Sequence, residues 1–325
     1  TGVANPYLLL EPSRTNLVTQ SEYFDSSEWG QYVFNGASLT RTFGYQSPEG
    51  NNNAYKFDVV VGTGGVLLTD NITVNPADSQ TLSVWMKGEN GGEKLRLALR
   101  NSSSGGTSAG VTTLTNEWVR YDVTLSTTVA NRGFQFRMLI SDGVSDQTIY
   151  VYGAQCEAGT YPTSYIPTYS VSATRAQDVC NKTDASGEIG QTEGTMFVDF
   201  TFNGNPTSVD YSIMILGAIG SNYITIGGYN TSLYARVFNT TMQGTINAFS
   251  MVAGTRYKVA LAYANNDVVM YVNGVNEGSD TSASIPAVSQ IGFTRPSYGA
   301  STDILNSQVY KERLTNAELA TLTTI

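Results

Sequence analysis

The side chains best suited to bind a ligand in this sequence are aromatic, basic and amide groups on alternate positions of short apolar segments. In the first half of the chain these positions carry Trp85 and Lys87, Arg96 and Arg100, Gln135 and Arg137, and Tyr150 and Tyr152. Aromatic rings stack on the C–H faces of sugars, and arginine or glutamine donates hydrogen bonds to sugar hydroxyls or carboxylates. If the segments share one sheet, these side chains line one exposed saccharide-binding surface. The alternative is that Trp85 packs under a covering segment and the arginines form ordinary surface ion pairs.

Three further residues complete the candidate set. Trp29, in "SSEWG", either stacks on a ligand or is a buried anchor. Tyr234 and Arg236 fall near turns or on a polar strand face, where loops of a sandwich often contact ligands, although aromatic residues are also common filler in strands. The predicted ligand-binding residues are Trp29, Trp85, Arg96, Arg137, Tyr150, Tyr152, Tyr234 and Arg236.

The composition argues against catalysis. Histidine is absent, which removes the usual general base at neutral pH and the commonest zinc ligand. A serine or cysteine nucleophile would need such a base, and no tight run of carboxylates suits glycoside hydrolysis. We therefore expect a protein that is not an enzyme. A polysaccharide hydrolase, or a lyase built on tyrosine, arginine and lysine, stays an alternative.

The charge excludes some partners. The chain carries 18 Lys and Arg against 27 Asp and Glu, so its formal charge is 18 − 27 = −9. Nucleic acid is not an expected partner, because phosphate binding needs a basic surface. No apolar run approaches the ~20 residues of a membrane-spanning helix, so no membrane insertion is expected. Thr1 is not a start residue, and we expect a fragment or a processed chain.

Metal binding and a disulfide are both open alternatives. Cys156 and Cys180 are either bonded or free thiols, and two cysteines alone cannot form a structural zinc site. Carboxylates could hold a structural calcium ion, although no loop has EF-hand spacing. The candidate ligands are Asp25, Asp58, Asp142, Asp146 and Glu157.

Alternation of apolar and polar residues predicts β-strands in both halves of the chain. Turn sequences rich in Gly, Asn and Ser separate the strands by roughly 8–12 residues, a spacing typical of β-sandwiches. The predicted core faces of the first half are Tyr55, Phe57, Val59 and Val61; Leu82, Val84 and Met86; Leu95, Leu97 and Leu99; Val119, Tyr121, Val123 and Leu125; and Phe134, Phe136 and Met138.

The second half adds a hairpin and a helix to this pattern. "YANNDVVMYVNGV" predicts a hairpin that turns at Asn265, Asn266 and Asp267. "LTNAELATL" predicts one short C-terminal helix, in which Thr315 is the N-cap and Glu318 completes a capping box. The predicted fold class is all-β, with two tandem β-sandwiches and one short C-terminal helix.

The segment between the two sandwiches contains prolines and tyrosines. Pro162 and Pro167 forbid a central strand, and Tyr161, Tyr165 and Tyr169 are too apolar for a solvated linker. We predict an ordered strap packed on the first sandwich, with a flexible part in "NKTDASGEIGQTEG". The predicted division is a lead-in over 1–20, a sandwich over 21–158, strap and linker over 159–193, and a sandwich over 194–325.

Three motifs carry a resemblance to a known family. They are "LLLEPSRTNL", an "S..F....W" segment, and "GAQCEAGTYPTSYIPTYSVSATRAQD". This set resembles the carbohydrate-binding-module-like jelly roll of bacteriophage tail fibres and other virion proteins, over residues 8–178. Residues 194–325 are similar to laminin-G or concanavalin-like lectin sandwiches, through "RYKVALAYANNDVVMYVNGV", "QIGF" and "ILNSQVYKERLTNAELATL". Cys156 departs from the family, which has an apolar residue there.

The resemblance implies a jelly roll followed by a lectin-like sandwich on the surface of a phage virion. It implies an extracellular protein that recognises bacterial surface glycan, and a homo-oligomer, since tail fibres are commonly trimers. No acidic calcium cluster stands in the second half, where some lectins of this type bind the ion. A purely structural virion spacer is the alternative to a glycan-binding protein.

Overall fold

The computed structural model describes residues 7–75, 78–100, 107–126, 131–204, 210–293 and 301–325. Contacts between residues divide the chain into two compact units. The first sandwich is Arg14–Arg175, and the second sandwich combines the segment that ends at Ser13 with Ala176–Ile325. The prediction of an all-β chain with a short C-terminal helix is confirmed.

The strands alternate with short turns throughout the chain. Those up to residue 175 are β1 (Leu8–Leu10), β2 (Arg14–Asn16), β3 (Trp29–Phe34), β4 (Ser38–Tyr45), β5 (Ala54–Val60), β6 (Gly65–Thr73), β7 (Ser79–Gly88), β8 (Lys94–Leu99), β9 (Thr107–Ser108), β10 (Thr112–Thr113), β11 (Val119–Ser126), β12 (Asn131–Leu139), β13 (Gln147–Ala158) and β14 (Ala173–Arg175). The later elements are β15 (Cys180–Lys182), β16 (Glu193–Gly204), β17 (Asp210–Gly217), β18 (Tyr223–Tyr229), β19 (Ser232–Asn239), β20 (Thr241–Ser250), β21 (Thr255–Ala264), β22 (Asp267–Val272), β23 (Val275–Asp280), β24 (Ile291–Phe293), β25 (Ser301–Tyr310) and the helix α1 (Asn316–Thr323).

Two antiparallel sheets form the first sandwich. One is the five-stranded sheet, in the order β11-β7-β13-β5-β4, and the other, here called the facing sheet, has the order β10-β8-β12-β6-β3 with β9 paired to β8. The chain crosses between the sheets from β6 to β7, from β7 to β8 and from β12 to β13, as strands of a jelly roll do. Consecutive segments of sequence therefore often lie on opposite sheets.

The core of the first sandwich is aromatic at its centre. Phe24, Trp29, Phe57 and Phe136 contact one another with ring centroids 5.1–6.1 Å apart. The predicted core faces of β5, β7, β8 and β12 all lie in this cluster. On β11, Val119 was also predicted to face the core, but it is 38% exposed. The reason is that β11 is an edge strand with no neighbour on one side.

The segment after β13 is ordered and lies on the first sandwich, and we call residues 160–170 the strap. The Ile166 N–H donates to Gln155 Oε1 at 2.7 Å, and Asn16 Nδ2 donates to the Ile166 carbonyl at 2.8 Å. Both Glu157 carboxylate oxygens accept hydrogen bonds from Thr163. These side chains provide the partners that an extended, proline-containing backbone cannot find in a strand ladder.

The boundaries between the two compact units differ from the predicted division of the chain. β1, within the predicted lead-in, pairs with β25, so that Leu8 lies opposite Ile304. The stretch expected to be flexible holds β15, which pairs with β24, and the buried residues Ala185 and Ile189. The units therefore change at Ser13 and Arg175. The pairing of β1 with β25 joins residues nearly 300 positions apart, and such a pairing leaves no local signal in the sequence.

The second sandwich also has two antiparallel sheets. Their orders are β1-β25-β16-β21-β22-β23 and β15-β24-β17-β18-β19-β20. The predicted hairpin joins β21 to β22, with Asn266 at φ 59°, a conformation that asparagine tolerates. The predicted capping box is present, because Thr315 Oγ1 accepts from the Glu318 N–H and the Glu318 side chain accepts from the Thr315 N–H.

The helix packs on the outer face of a sheet rather than in the main core. Leu319 is fully buried against Phe197, Ala260, Ala262 and Val269. Within the described ranges, no helix is long and apolar enough to cross a membrane. Both cysteines are free thiols, Cys156 buried and Cys180 half-buried.

Candidate functional site

The surface predicted from the strand faces is split between two sheets. Trp85 lies on β7, and Tyr150 and Tyr152 lie on β13, in the five-stranded sheet. Arg96 on β8 and Arg137 on β12 belong to the facing sheet. The condition that these strands share one sheet is therefore not met. Alternation tells which face of a strand points outward, but it does not tell to which sheet the strand belongs.

The two arginines are ion-paired. Arg96 Nε lies 3.0 Å from Asp142 Oδ1, and Arg137 Nε lies 2.9 Å from Asp142 Oδ2. Arg96 also donates to the Ala109 carbonyl at 3.2 Å. This corresponds to the alternative of ordinary surface pairs, since one carboxylate in the turn after β12 holds both guanidinium groups.

Trp29 and Tyr152 have no open ring face. Trp29 is 1% exposed and its Nε1 donates to the Gln20 carbonyl at 2.8 Å, so it is the buried anchor that was the alternative to a ligand contact. Tyr152 is also 1% exposed, although it lies on the outer face of its sheet. Tyr165 of the strap packs on it, with ring centroids 5.6 Å apart. Because the strap covers its ring, Tyr152 is not available to a ligand, and the prediction that it binds one is corrected.

Gly153 lets the strap approach the sheet closely. It has φ 65° at a β-bulge between Tyr152 and Gln155. A Cβ atom there would lie 3.2 Å from the Tyr165 ring and 3.5 Å from Trp85. Only glycine adopts this conformation without strain and leaves room for the tyrosine ring. Trp85 is half-buried beneath this part of the strap.

The other half of the five-stranded sheet is not covered by the strap. Here Lys87 Nζ lies 5.0 Å from the Tyr150 ring centroid and 5.6 Å from that of Trp118. Tyr150 contacts Tyr45 at 5.3 Å, and Lys56 Nζ lies 5.7 Å from the Tyr45 ring. We call these five residues the aromatic–lysine row. Tyr150 lies opposite Lys87 on one side and opposite Lys56 on the other, so the row runs directly across the sheet.

A cleft of about 610 Å³ opens alongside the row, where the middle strands β7, β13 and β5 meet their turns. Glu89 in its wall accepts a hydrogen bond from the Tyr150 hydroxyl. Asp58 accepts from Thr148 Oγ1 at 2.8 Å and pairs with Lys56 at 2.8 Å. The lining residues are Asp58, Val59, Val60, Glu89, Asn90, Gly91, Gly92, Glu93, Ser145, Asp146, Gln147 and Thr148. The cleft thus combines carboxylates, amides and hydroxyls beside aromatic rings.

The contacts of Tyr150 and Asp58 shift the pKa values of both side chains. Burial and the hydrogen bond to Glu89 raise the pKa of Tyr150 to about 12, so its hydroxyl stays a hydrogen-bond donor at neutral pH. Partial burial opposes ionisation of Asp58, but the hydrogen bonds from Lys56 and Thr148 outweigh it and lower the pKa of this carboxyl. Asp58 is therefore ionised over the physiological range and is a poor general acid.

The five candidate calcium ligands do not all meet at one site, although Asp58 and Asp146 both line the cleft. Asp25 accepts from the Tyr55 hydroxyl, Asp146 accepts from the Val61 N–H, and Glu157 holds the strap. In the part of the chain that the structure describes, no group of three or more Cys, Asp or Glu side chains is arranged to hold a metal ion.

In the second sandwich, Tyr234 and Arg236 are brought together. Tyr234 is 4% exposed, and the Arg236 guanidinium lies 3.8 Å from its ring centroid. Arg236 also pairs with Asp210 at 3.0 Å. The arginine covers the ring, so a ligand would meet the guanidinium and not the aromatic face, which corrects the prediction for Tyr234.

Comparison with known proteins gives similarity to solved structures alone. No protein-family model matches the sequence, and no curated protein matches it. The carbohydrate-binding module CBM40 of the Ruminococcus gnavus IT-sialidase is 18% identical, with 42% of this chain and 85% of that one covered, at a TM-score of 0.35. Domain 4 of AbnA, an extracellular arabinanase from Geobacillus stearothermophilus in complex with arabinotriose, is 14% identical, with 51% and 81% covered, at a TM-score of 0.37. Scores this low assign no ligand to this chain.

Several residues of the row were not in the predicted set. Lys56 is the outward residue between the core residues Tyr55 and Phe57, so the alternation rule that identified Tyr150 would also have found it. Tyr45 follows a bulge at Gly44, with φ 105°, and alternation fails across a bulge. Trp118 precedes β11, and its place beside Lys87 follows only from the order of the strands.

Proposed function

We propose that the first sandwich is a non-catalytic glycan-binding module whose site is the aromatic–lysine row and the adjoining cleft. The observation that carries this proposal is that Trp118, Lys87, Tyr150, Lys56 and Tyr45 lie side by side across the sheet, with a polar cleft along one side of the row. Concave sites that join aromatic surfaces to a few convergent polar groups are typical of small-molecule and sugar recognition.

The row has the dimensions of an extended ligand. It reaches from the β11 side to the β4 edge, and strands ~4.8 Å apart give it a length of ~19 Å across four intervals. Rings half-exposed along this length offer apolar faces to the C–H groups of successive sugars. The lysines between the rings are hydrogen-bond donors for hydroxyl or carboxylate groups of the same chain.

The strap defines where the site ends. It covers Tyr152 and part of Trp85, so the sheet is closed at one end and open from Tyr150 onwards. The cleft at Glu89 and Asp58 lies on the opposite side of the row, so a ligand along the row would have the strap on one side and the cleft on the other. This arrangement supports binding of a chain segment and not of a single enclosed sugar.

The sequence resemblance to phage tail modules supports the wider role. We infer that the ligand is a bacterial surface polysaccharide and that the chain acts on the outside of a phage virion, in a homotrimer. Several copies of a weak site on one particle would multiply the affinity without any new contact. The second sandwich would then serve as a further receptor-contacting or spacing unit.

The proposal is tested by calorimetric titration with polysaccharide fragments selected on an array of bacterial surface glycans. Loss of one stacking ring, as in Trp118→Ala or Tyr150→Ala, is expected to weaken binding by about tenfold, which corresponds to about 1.4 kcal/mol. Tyr32→Ala is the control, because Tyr32 is 41% exposed but lies on β3 of the facing sheet.

Two outcomes would overturn the proposal. If no glycan on the array binds, the spacer alternative gains support. If a reducing-end assay shows that the protein releases sugars from the glycan it binds, the chain is an enzyme and the non-catalytic assignment fails.

A further inference from the structure

A second group of aromatic rings lies on the surface of the first sandwich, outside the row. Tyr23, Phe43 and Tyr169 are 42%, 50% and 70% exposed. The Tyr23 and Phe43 rings are nearly parallel, with planes 14° apart and centroids 6.4 Å apart. Tyr169 meets Tyr23 edge-on at 5.2 Å. We call these three residues the edge cluster.

The edge cluster is separate from the row, although both use β4. The bulge at Gly44 shifts the register between Phe43 and Tyr45. Phe43 contacts Tyr55, whose ring belongs to the core side of the sheet, whereas Tyr45 contacts Tyr150 on the outer face. The two ring groups therefore lie on different sides of the edge strand.

The fold does not need these rings for its core. The three side chains come from three segments, namely the loop before β3, the edge strand β4 and the strap, and they converge on the surface. Each keeps between two-fifths and seven-tenths of its area in contact with solvent. Contiguous exposed aromatic area of this kind marks binding sites, because solvation of such a patch is unfavourable.

A buried polar group next to the cluster lacks a partner. Gln20 forms a β-bridge with Tyr169 and is 7% exposed. Its Nε2 donates to Ser170 Oγ at 3.1 Å. Its Oε1 is buried and accepts no hydrogen bond from any residue that the structure describes. A buried acceptor without a donor is rare in folded proteins, and an outward turn of the Gln20 side chain would let a ligand hydroxyl at the cluster satisfy it.

The charges around the cluster indicate an uncharged ligand. Asp25, which accepts from the Tyr55 hydroxyl beneath Phe43, is an exposed carboxylate. The nearby cation, Arg41, donates to the carbonyls of Phe24 and Trp29 and is half-buried. An anionic sugar would therefore meet the Asp25 carboxylate, whereas the Arg41 guanidinium is already bonded to carbonyl groups, and this costs affinity.

We propose that the edge cluster is a second saccharide-binding site, which takes uncharged hexopyranosides. Tyr23 and Phe43 stack on sugar C–H faces, Tyr169 packs on the edge of the ligand, and the Gln20 side chain turns outward so that its Oε1 accepts a hydroxyl hydrogen. This site stands on its own observations and does not depend on ligand binding at the aromatic–lysine row.

The test is calorimetric titration of the full chain with maltohexaose, cellohexaose and mannohexaose, and with hexagalacturonate as the acidic probe. At least one neutral hexaose is expected to bind. Phe43→Ala and Tyr169→Ala should each weaken this binding by about tenfold, as expected for loss of one stacking ring. Tyr32→Ala should change it by less than about twofold, within ordinary variation for a residue outside the site.

The outcomes separate this inference from the function proposed for the row. If Tyr150→Ala abolishes binding of a neutral hexaose and Phe43→Ala leaves it unchanged, the edge site is overturned and the row is supported as the binding site. The edge site is overturned outright if none of the neutral hexaoses binds. It is also overturned if the protein prefers hexagalacturonate and this preference depends on Phe43. Tyr32, Phe43 and Tyr169 are exposed, so the unfolding temperatures of their alanine variants should match the wild type and exclude misfolding as the cause.

Discussion

The strap sets the extent of the proposed binding face, and Glu157 is one of its buried attachments. This side chain is fully buried. It accepts hydrogen bonds from the Thr163 N–H, from Thr163 Oγ1 at 2.8 Å and from Gln155 Nε2 at 2.8 Å. Glu157→Ala leaves these three donors without their acceptor in a buried place. We expect the strap to detach from Tyr152 and Trp85 in this variant.

The cost follows from the number of donors. Each buried donor left unsatisfied costs about 1–3 kcal/mol, which gives at least about 3 kcal/mol for three donors. Burial raises the pKa of Glu157, although Thr163 opposes this, so the native carboxylate carries a desolvation cost that the variant removes. The lower end, about 3 kcal/mol, is therefore the expected loss. Glu157→Gln keeps one acceptor oxygen and should lose about half as much.

The assay is urea unfolding followed by tryptophan fluorescence, with acrylamide quenching of the native state. The chain has 3 tryptophans, and Trp29 is in the core, so added quenching reports on Trp85 and Trp118. The background from Trp118 is removed in a Trp118→Phe chain. If Glu157→Ala lowers the unfolding free energy by less than about 1 kcal/mol and Trp85 stays protected, the strap is not held as described.

Three other perturbations have defined outcomes. Burial raises the pKa of Asp70 to about 7, which is roughly 3 pH units above that of an ordinary aspartate. The protonated carboxyl therefore stabilises the folded state below pH 4. This contribution, up to ~4 kcal/mol of unfolding free energy, is lost as the pH rises through 7. Asp70→Asn should therefore show a flatter unfolding free energy between pH 4.5 and 8 than the wild type, and equal slopes would contradict the buried charge. Leu319→Ala should destabilise the second sandwich by about 2–3 kcal/mol in thermal unfolding, because it empties the contact between α1 and Phe197; no change would mean that the helix does not pack there. Thr315→Ala removes the N-cap and should cost about 1 kcal/mol in the same measurement, whereas Thr315→Ser should cost little.

The strands and their core faces could be predicted from the sequence because alternation is a local property. Phe57 and Val59, Val84 and Met86, and Phe134 all point inward as the pattern indicates. The C-terminal helix was equally accessible, since the capping residues and the helix lie within nine positions. These features depend on neighbours in the chain and not on the rest of the fold.

The arrangement of the site was not accessible in this way. Tyr150 and Arg137 both point outward, but they lie on opposite sheets because the chain crosses the sandwich after β12. Tyr152 is an outward residue that the strap buries through Tyr165, a contact that alternation cannot reveal. Phe43 and Tyr45 lie on different sides of β4 because of a bulge. Each case depends on how distant segments pack together.

The most direct test of the central claim is a structure of the protein with a bound fragment of bacterial surface polysaccharide. The account predicts sugar rings that lie along the aromatic–lysine row, with at least one ring stacked on Tyr150 or Trp118 and polar groups of the saccharide directed into the cleft beside Glu89. A saccharide bound across Arg96 and Arg137 on the facing sheet, with the row left bare, would contradict it.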